Sequence, residues 1–148
     1  RGARCLVPAI GWYEWSTESR VDTRTGEIHE VRQPHFIHLD GLQPLALAGL
    51  WSSWTPERGA EPLLTFSILT RPPGPDLARL HDRMPVVLPE NLYAAWLDPA
   101  NDDVAGLNRM IANEAIVELR HYAVSLYVNN PKNEGPKCIE PVAEPQAS

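Results

Sequence analysis

The sequence of 148 residues predicts an α+β fold, mainly antiparallel strands forming a β-rich core with a few short helices. Three observations carry this. Apolar and aromatic segments are short and bounded by turn residues, as half-buried strands are. Fifteen prolines and nine glycines interrupt the chain too often for long helices. Helix signals are confined to short stretches, near residues 76–82, 90–97 and 101–110.

The elements follow in order. CLVPAI and GWYEW read as strands, broken by Pro8 and Gly11. Residues 16–33 are polar and contain TRTGE, a turn or long hairpin loop. PHFIHL (34–39) is a strand, and Asp40-Gly41 is a hairpin signal that predicts PLALAGLW (44–51) as its partner. LLTFSILT (63–70) is another strand, with Thr65, Ser67 and Leu69 on one face. RPPGPD breaks the chain, and DLARLHD is expected to form one helical turn before the short strand MPVVL. Pro89 suits the first turn of a helix through ENLYAAWL. A second helix over 101–110 is expected to be capped by Asn101 or Asp102. HYAVSLYV (121–128) is a strand, NNPKNEGPK a loop, and CIEP a last short strand.

The length suits one domain. No apolar run approaches a membrane span, so no membrane association is expected. The two cysteines, Cys5 and Cys138, form no disulfide framework, which points to a reducing, cytoplasmic setting. The net charge of −6 argues against general nucleic-acid binding but leaves room for a local basic groove. Lys occurs only at 132 and 137, so Arg carries most of the positive charge, and Arg suits bidentate phosphate contacts.

No metal site and no cofactor are expected. His35 and His38 are three apart, which places them on opposite faces of a strand. Cys-x-x-Cys, His-Glu-x-x-His, Gly-x-Ser-x-Gly and Gly-rich phosphate loops are all absent. Cys5 stands in an apolar strand and reads as an inert core thiol.

Two places carry chemistry. Strand alternation puts Trp12 and Glu14 on one face of GWYEW, Tyr13 and Trp15 on the other. A carboxylate beside an indole in a partly dry site has a raised pKa, which suits general acid/base work near neutrality. A surface glutamate on an edge strand is the other reading, and the residues alone leave both open. In HDRMP, His81 precedes Asp82 and Arg83 after a Pro/Gly-rich break. Histidine is the side chain that changes charge near neutral pH, yet an ordinary loop histidine beside a capping aspartate fits as well. Asn129 and Asn130 read as turn residues.

Together, RCLVPAIGWYEW, QPHFIHL, LALAGLWSSW, TFSILT, LHDRMPVVL, AAWLD and VSLYVNNPKNEGPKCIEP, in that order, resemble the SRAP (SOS-response-associated peptidase) family. The specific marks are GWYEW, HDRMP and VNNPKN. The resemblance implies a SRAP-type β-rich core in which residues 1–141 form the C-terminal two-thirds of a single domain, with 142–148 a disordered tail. It implies abasic-site sensing in single-stranded DNA through a reversible covalent crosslink, a thiazolidine closed by the amine and thiol of an N-terminal cysteine. Glu14 and His81 match the family's catalytic carboxylate and histidine, and Thr70 and Arg83 fall where members contact DNA. A monomer is expected.

The departure from the family is large. Members begin Met-Cys-Gly-Arg and carry further segments, including an active-site Asn, before the equivalent of Arg4; none of these is in this sequence. Cys5 matches an internal family position, not the nucleophile. The sequence therefore reads as a fragment that would not crosslink DNA alone and would expose strands the missing segment covers. The insert between Trp15 and Gln33 reads as a surface hairpin. Two further readings stay open: a cysteine-type peptidase acting on its own leader or on a partner, and a degenerate, non-catalytic module that binds single-stranded DNA.

Overall fold

The computed structural model describes residues 3–142; the expected tail lies, from residue 143 on, outside the described residues. Two antiparallel sheets form its frame. One takes the order β1 (Arg4–Ala9), β4 (Leu45–Trp54), β5 (Leu63–Ile68), with the short β8 (Val87–Leu88) also on β4. The other takes the order β2 (Trp12–Val21), β3 (Ile28–Leu39), β9 (Leu119–Ala123). A two-stranded ladder joins β6 (Thr70–Arg71) to β7 (Met84–Pro85). Helices α1 (Tyr93–Leu97) and α2 (Val104–Asn113) cover the first sheet.

The polar segment after GWYEW forms the long surface hairpin expected of it. β2 and β3 stay paired from Trp12↔Ile37 out to Val21↔Ile28. The turn residue Gly26 adopts φ +76°, and Asp22 accepts the amides of Arg24 and Thr25. Thr17, Ser19 and Glu30 are exposed, so this ribbon stands away from the core.

Asp40-Gly41 does not make the expected hairpin. Residues Asp40–Leu42 form one 3-10 turn that carries the chain into the other sheet. The pairing of β3 explains the difference: β2 and β9 occupy its two edges, so no edge remains for β4. β4 instead becomes the centre of its own sheet. Residues 45–49 are buried in succession, as a strand covered on both faces must be.

Other local expectations shift by a few residues. Pro89 is the residue before the 3-10 turn Glu90–Leu92, not a member of the helix. The second helix is capped by Asp103, whose carboxylate accepts from the Gly106 amide at 2.8 Å, instead of by Asn101 or Asp102. β9 stops at Ala123 because the Ser125 hydroxyl caps a 3-10 turn over Leu126–Asn129. CIEP supplies only a bridge from Pro141 to Val124, and Pro136–Ile139 is a 3-10 turn.

Three apolar clusters hold these parts. Trp96, Leu92, Leu107 and Met110 pack on Ala48, Val86 and Leu88. Leu77, Leu80 and Met84 pack on Ile37, with Trp12 and Leu119 at the margin. Leu45, Leu47 and Val87 form the third. Arg4 ties β1 to the end of α1, donating to the carbonyls of Trp96, Asp98 and Asn101 over the Trp96 ring. Beyond Gly49 the hairpin of β4 and β5 lies open: Leu50, Trp51, Trp54, Leu63, Leu64 and Phe66 are all exposed.

Candidate functional site

Opposed residues of an antiparallel pair project to the same side. The register therefore sorts the β2-β3-β9 sheet into two faces. Tyr13, Trp15, Phe36, His38 and Tyr122 share one. There Tyr13 lies 5.3 Å from the Phe36 ring, and Phe36 stacks on His38 at 5.5 Å. Residues 126–141 cover this face through side-chain bonds. Tyr13 donates to the Cys138 carbonyl, Tyr122 to the Ile139 carbonyl, and Trp15 Nε1 to Asn129 Oδ1 at 2.7 Å. Two of the three aromatic rings of GWYEW thus anchor the sheet from behind.

The other face carries Trp12, Glu14, Ser16 and Glu18 from β2, Gln33, His35 and Ile37 from β3, and His121 from β9. Glu14 pairs across the ladder with His35, and Ile37 with His121. His35 and His38 do fall on opposite faces. The segment from Leu77 to Met84 packs over this face through its buried leucines and brings the loop of His81 and Asp82 to Glu14.

Glu14 is half-buried, and its pKa is raised. Burial, which disfavours the charged form, is the largest cause. The His81 charge and the Trp12 indole N–H pull the other way, and Asp82 adds a smaller push upward. Trp12 Nε1 is buried with no partner inside hydrogen-bonding range, so the indole acts on Glu14 as a nearby dipole more than as a formed bond.

His81 is exposed, and its two ring nitrogens have different surroundings. Nδ1 accepts the Arg83 amide at 3.1 Å when neutral. When the ring is protonated the same nitrogen can donate to the Arg83 carbonyl or Asp82 Oδ1, each 3.1 Å away. Both states are satisfied at Nδ1, which leaves Nε2 for a substrate. Arg83 in turn donates through Nε and Nη2 to Thr70 Oγ1, at 3.1 and 2.8 Å, and through Nη2 to the Thr70 carbonyl at 2.7 Å. The four residues singled out from the sequence are thus linked: Glu14 to His81 by charge, His81 to Arg83 by backbone, Arg83 to Thr70 by side chain.

Sequence reasoning missed Ser16, His35, His121 and Arg79, which share this side. Ser16 Oγ lies 3.0 Å from His35 Nε2, and the two imidazoles of His35 and His121 meet edge to face at 5.6 Å. Alternation along β2 alone would have added Ser16; the others need the register. A cavity of about 920 Å³ bordered by Glu18, Gln33, His35 and Ser125 continues from this face. Among the described residues no group of three or more His, Cys, Asp or Glu is placed to hold a metal ion. Among the described residues no helix is long and apolar enough to cross a membrane. Cys5 belongs to the other sheet, beside Gly49.

The raised Glu14 pKa has a measurable consequence. The folded state holds this proton more tightly than the unfolded chain, so stability falls as pH rises from the usual carboxylate range through the raised value, and levels above it. Glu14→Gln removes that fall. Denaturant titrations of both proteins from about pH 4 to about pH 8 should show the variant gaining on the parent as pH rises; parallel curves would exclude the effect. By NMR, Asp82→Asn should lower the Glu14 midpoint and His81→Ala should raise it further.

The family model described as SOS response associated peptidase (SRAP) matches residues 1–131. The abasic site processing protein YoqW of Bacillus subtilis is 36% identical over 137 residues, covering 93% of this chain and 57% of that protein. YoaM of the same organism is 33% identical, again over 93% of this chain and 56% of its own length. The abasic site processing protein HMCES of Gallus gallus is 29% identical over 96% of this chain and 44% of its own length. The chain thus spans about half the length of these relatives. A crystal structure of a protein from Bacteroides thetaiotaomicron shares the fold, with a TM-score of 0.69 at 20% identity, over 95% of this chain and 57% of that one.

Proposed function

The chain belongs to the SOS response associated peptidase family, and from that premise we propose that it serves in abasic-site processing, sensing the lesion in single-stranded DNA by reversible covalent capture. The observation that carries this reading is the pairing of Glu14 with His81 beside the tethered Arg83.

The chemistry asks for these groups. An abasic sugar is mostly a closed hemiacetal, and opening it to the aldehyde moves one proton off the anomeric hydroxyl and one onto the ring oxygen. A carboxyl whose pKa burial raises can do the second of these. Attack of an amine on the aldehyde then gives a carbinolamine. Loss of water from it needs a proton donor, and His81 Nε2 can give that proton. Addition of a thiol to the resulting imine closes the thiazolidine and reverses by the same steps. Arg83 and Thr70 bind a phosphate next to the lesion. On this reading the amine and thiol belong to a cysteine outside these 148 residues, since Cys5 is placed within β1. We place the protein in the cytoplasm, acting as a monomer.

The test uses the protein of the whole natural reading frame that contains this chain. It is incubated with single-stranded DNA bearing one abasic site, with the same strand reduced to the alcohol, and with the intact strand. A band that survives denaturing electrophoresis is expected with the aldehyde only. A folded protein that binds the DNA and leaves no such band would overturn covalent capture.

A further inference from the structure

We propose that Arg79 is a second phosphate-binding arginine of this site, held by His121 of β9. The inference rests on the reading of the Glu14 face as a DNA site and adds the path of the strand across it.

The arginines divide by what their guanidinium groups touch; among the described residues those of Arg24, Arg32 and Arg58 touch no partner at all. Arg20, Arg109 and Arg120 each lie within 4 Å of a carboxylate, from Glu18, Asp103 and Glu118. Arg4 and Arg71 are committed to backbone carbonyls, Arg71 to those of Ile111 and Ala115. Arg79 and Arg83 differ from all of these. Each is exposed, and each has its guanidinium bonded to a neutral neighbour. Arg83 is held by Thr70, and Arg79 donates through Nη2 to His121 Nε2 at 3.4 Å. Among the described residues neither has a carboxylate within 4 Å. In a chain of net charge −6, two oriented and uncompensated guanidinium groups on one short segment form a local exception.

Their placement follows from the sheet. Glu14 stands on β2 and His121 on β9, with β3 between them. Two inter-strand spacings separate these strands, about 10 Å. His81 and Arg83 approach from the Glu14 side, and Arg79 stands over the β9 side, on the same buried segment of Leu77 and Leu80. Because an arginine can only donate, His121 Nε2 is the acceptor of that bond. The bond limits the rotamers of Arg79, which leaves less entropy to lose when a phosphate arrives. A strand running from Arg83 to Arg79 would follow the outer side of the Leu77–Met84 segment, with the abasic sugar at Glu14 and a phosphodiester at each arginine.

The experiment measures binding of the natural full-length protein to an intact oligothymidylate across a salt series. The proteins compared are the parent, Arg79→Ala, Arg79→Lys and the distant loop variant Arg58→Ala. Arg79→Ala should weaken binding about three- to tenfold near physiological salt and reduce the slope of log K against log salt by about 0.7, the value of one lost single-strand phosphate contact. Arg79→Lys should recover most of the slope, and Arg58→Ala should match the parent. Equal slopes for the parent and Arg79→Ala would overturn the proposal while leaving the site reading intact. A parent protein with no affinity for single-stranded DNA would instead overturn the site reading, and this one with it.

Discussion

Glu14→Gln should lower the rate of covalent capture of abasic DNA by at least about a hundredfold, the usual lower bound for a positioned general acid or base. The substitution keeps size and shape but removes the transferable proton. Ring opening would then depend on water, while the phosphate contacts of Arg83 and Thr70 remain. Affinity for intact single-stranded DNA should hold or rise slightly, because one negative charge leaves a phosphate-binding face. His81→Ala should slow capture too. Because Glu14 serves ring opening and His81 the later loss of water, the slower step sets the rate, and the double variant should be no slower than the worse single variant within a few-fold. Quench-flow or timed denaturing gels would give these rates. A Glu14→Gln protein that captures at the parental rate would remove the carboxyl from the mechanism. Multiplying losses would mean that Glu14 and His81 act in the same step.

How much of this site could be read in advance depends on the range of the signal. Alternation within five residues correctly put Trp12 with Glu14 and turned Tyr13 and Trp15 away, because the strand period is local. The order of segments and the motifs around His81 supported the family. What failed was pairing. Asp40-Gly41 has a hairpin turn's composition, yet β4 does not return along β3, because competition for edges is decided by distant strands. The same limit hid His35, His121 and Arg79. The approach of His121 and Arg79 to Glu14 is set by a register spanning nearly ninety residues of chain, and that of His35 by the long β2-β3 hairpin, not by any motif. The cap at Asp103 was missed by one residue, among three adjacent candidates that composition cannot rank. The exposed apolar end of β4 and β5 was foreshadowed only through the family resemblance. Nothing in LLTFSI itself distinguishes an open strand from a covered one.

Gly11→Ala should be the most damaging alanine substitution among the glycines of the described residues, costing about 3 kcal/mol, the upper end for overpacking a core. A Cβ at residue 11 would stand 2.3 Å from the Ile37 carbonyl oxygen and 2.5 Å from the Phe36 ring. Neither neighbour can yield. Ile37 is 1% exposed among Leu77, Leu80 and Met84, and Phe36 is 2% exposed between Tyr13, His38 and Tyr122. The only relief is for the start of β2 to lift from β3, and that strand carries Trp12 and Glu14. A melting temperature lower by roughly 10 °C follows for a domain of this size. Capture should also slow by more than the loss of folded protein explains, since a shift near 1 Å at a reacting group can cost about a hundredfold. Gly74→Ala is the matched control. Its Cβ would meet nothing within 4 Å, and its backbone needs no positive φ, so the same added methyl should be neutral or slightly stabilising. If Gly11→Ala melted with the parent, the glycine of the motif would have no packing role. If it melted low but captured normally per folded molecule, the coupling of β2's seating to Glu14 would be disproved, because the methyl acts on nothing else that touches the site.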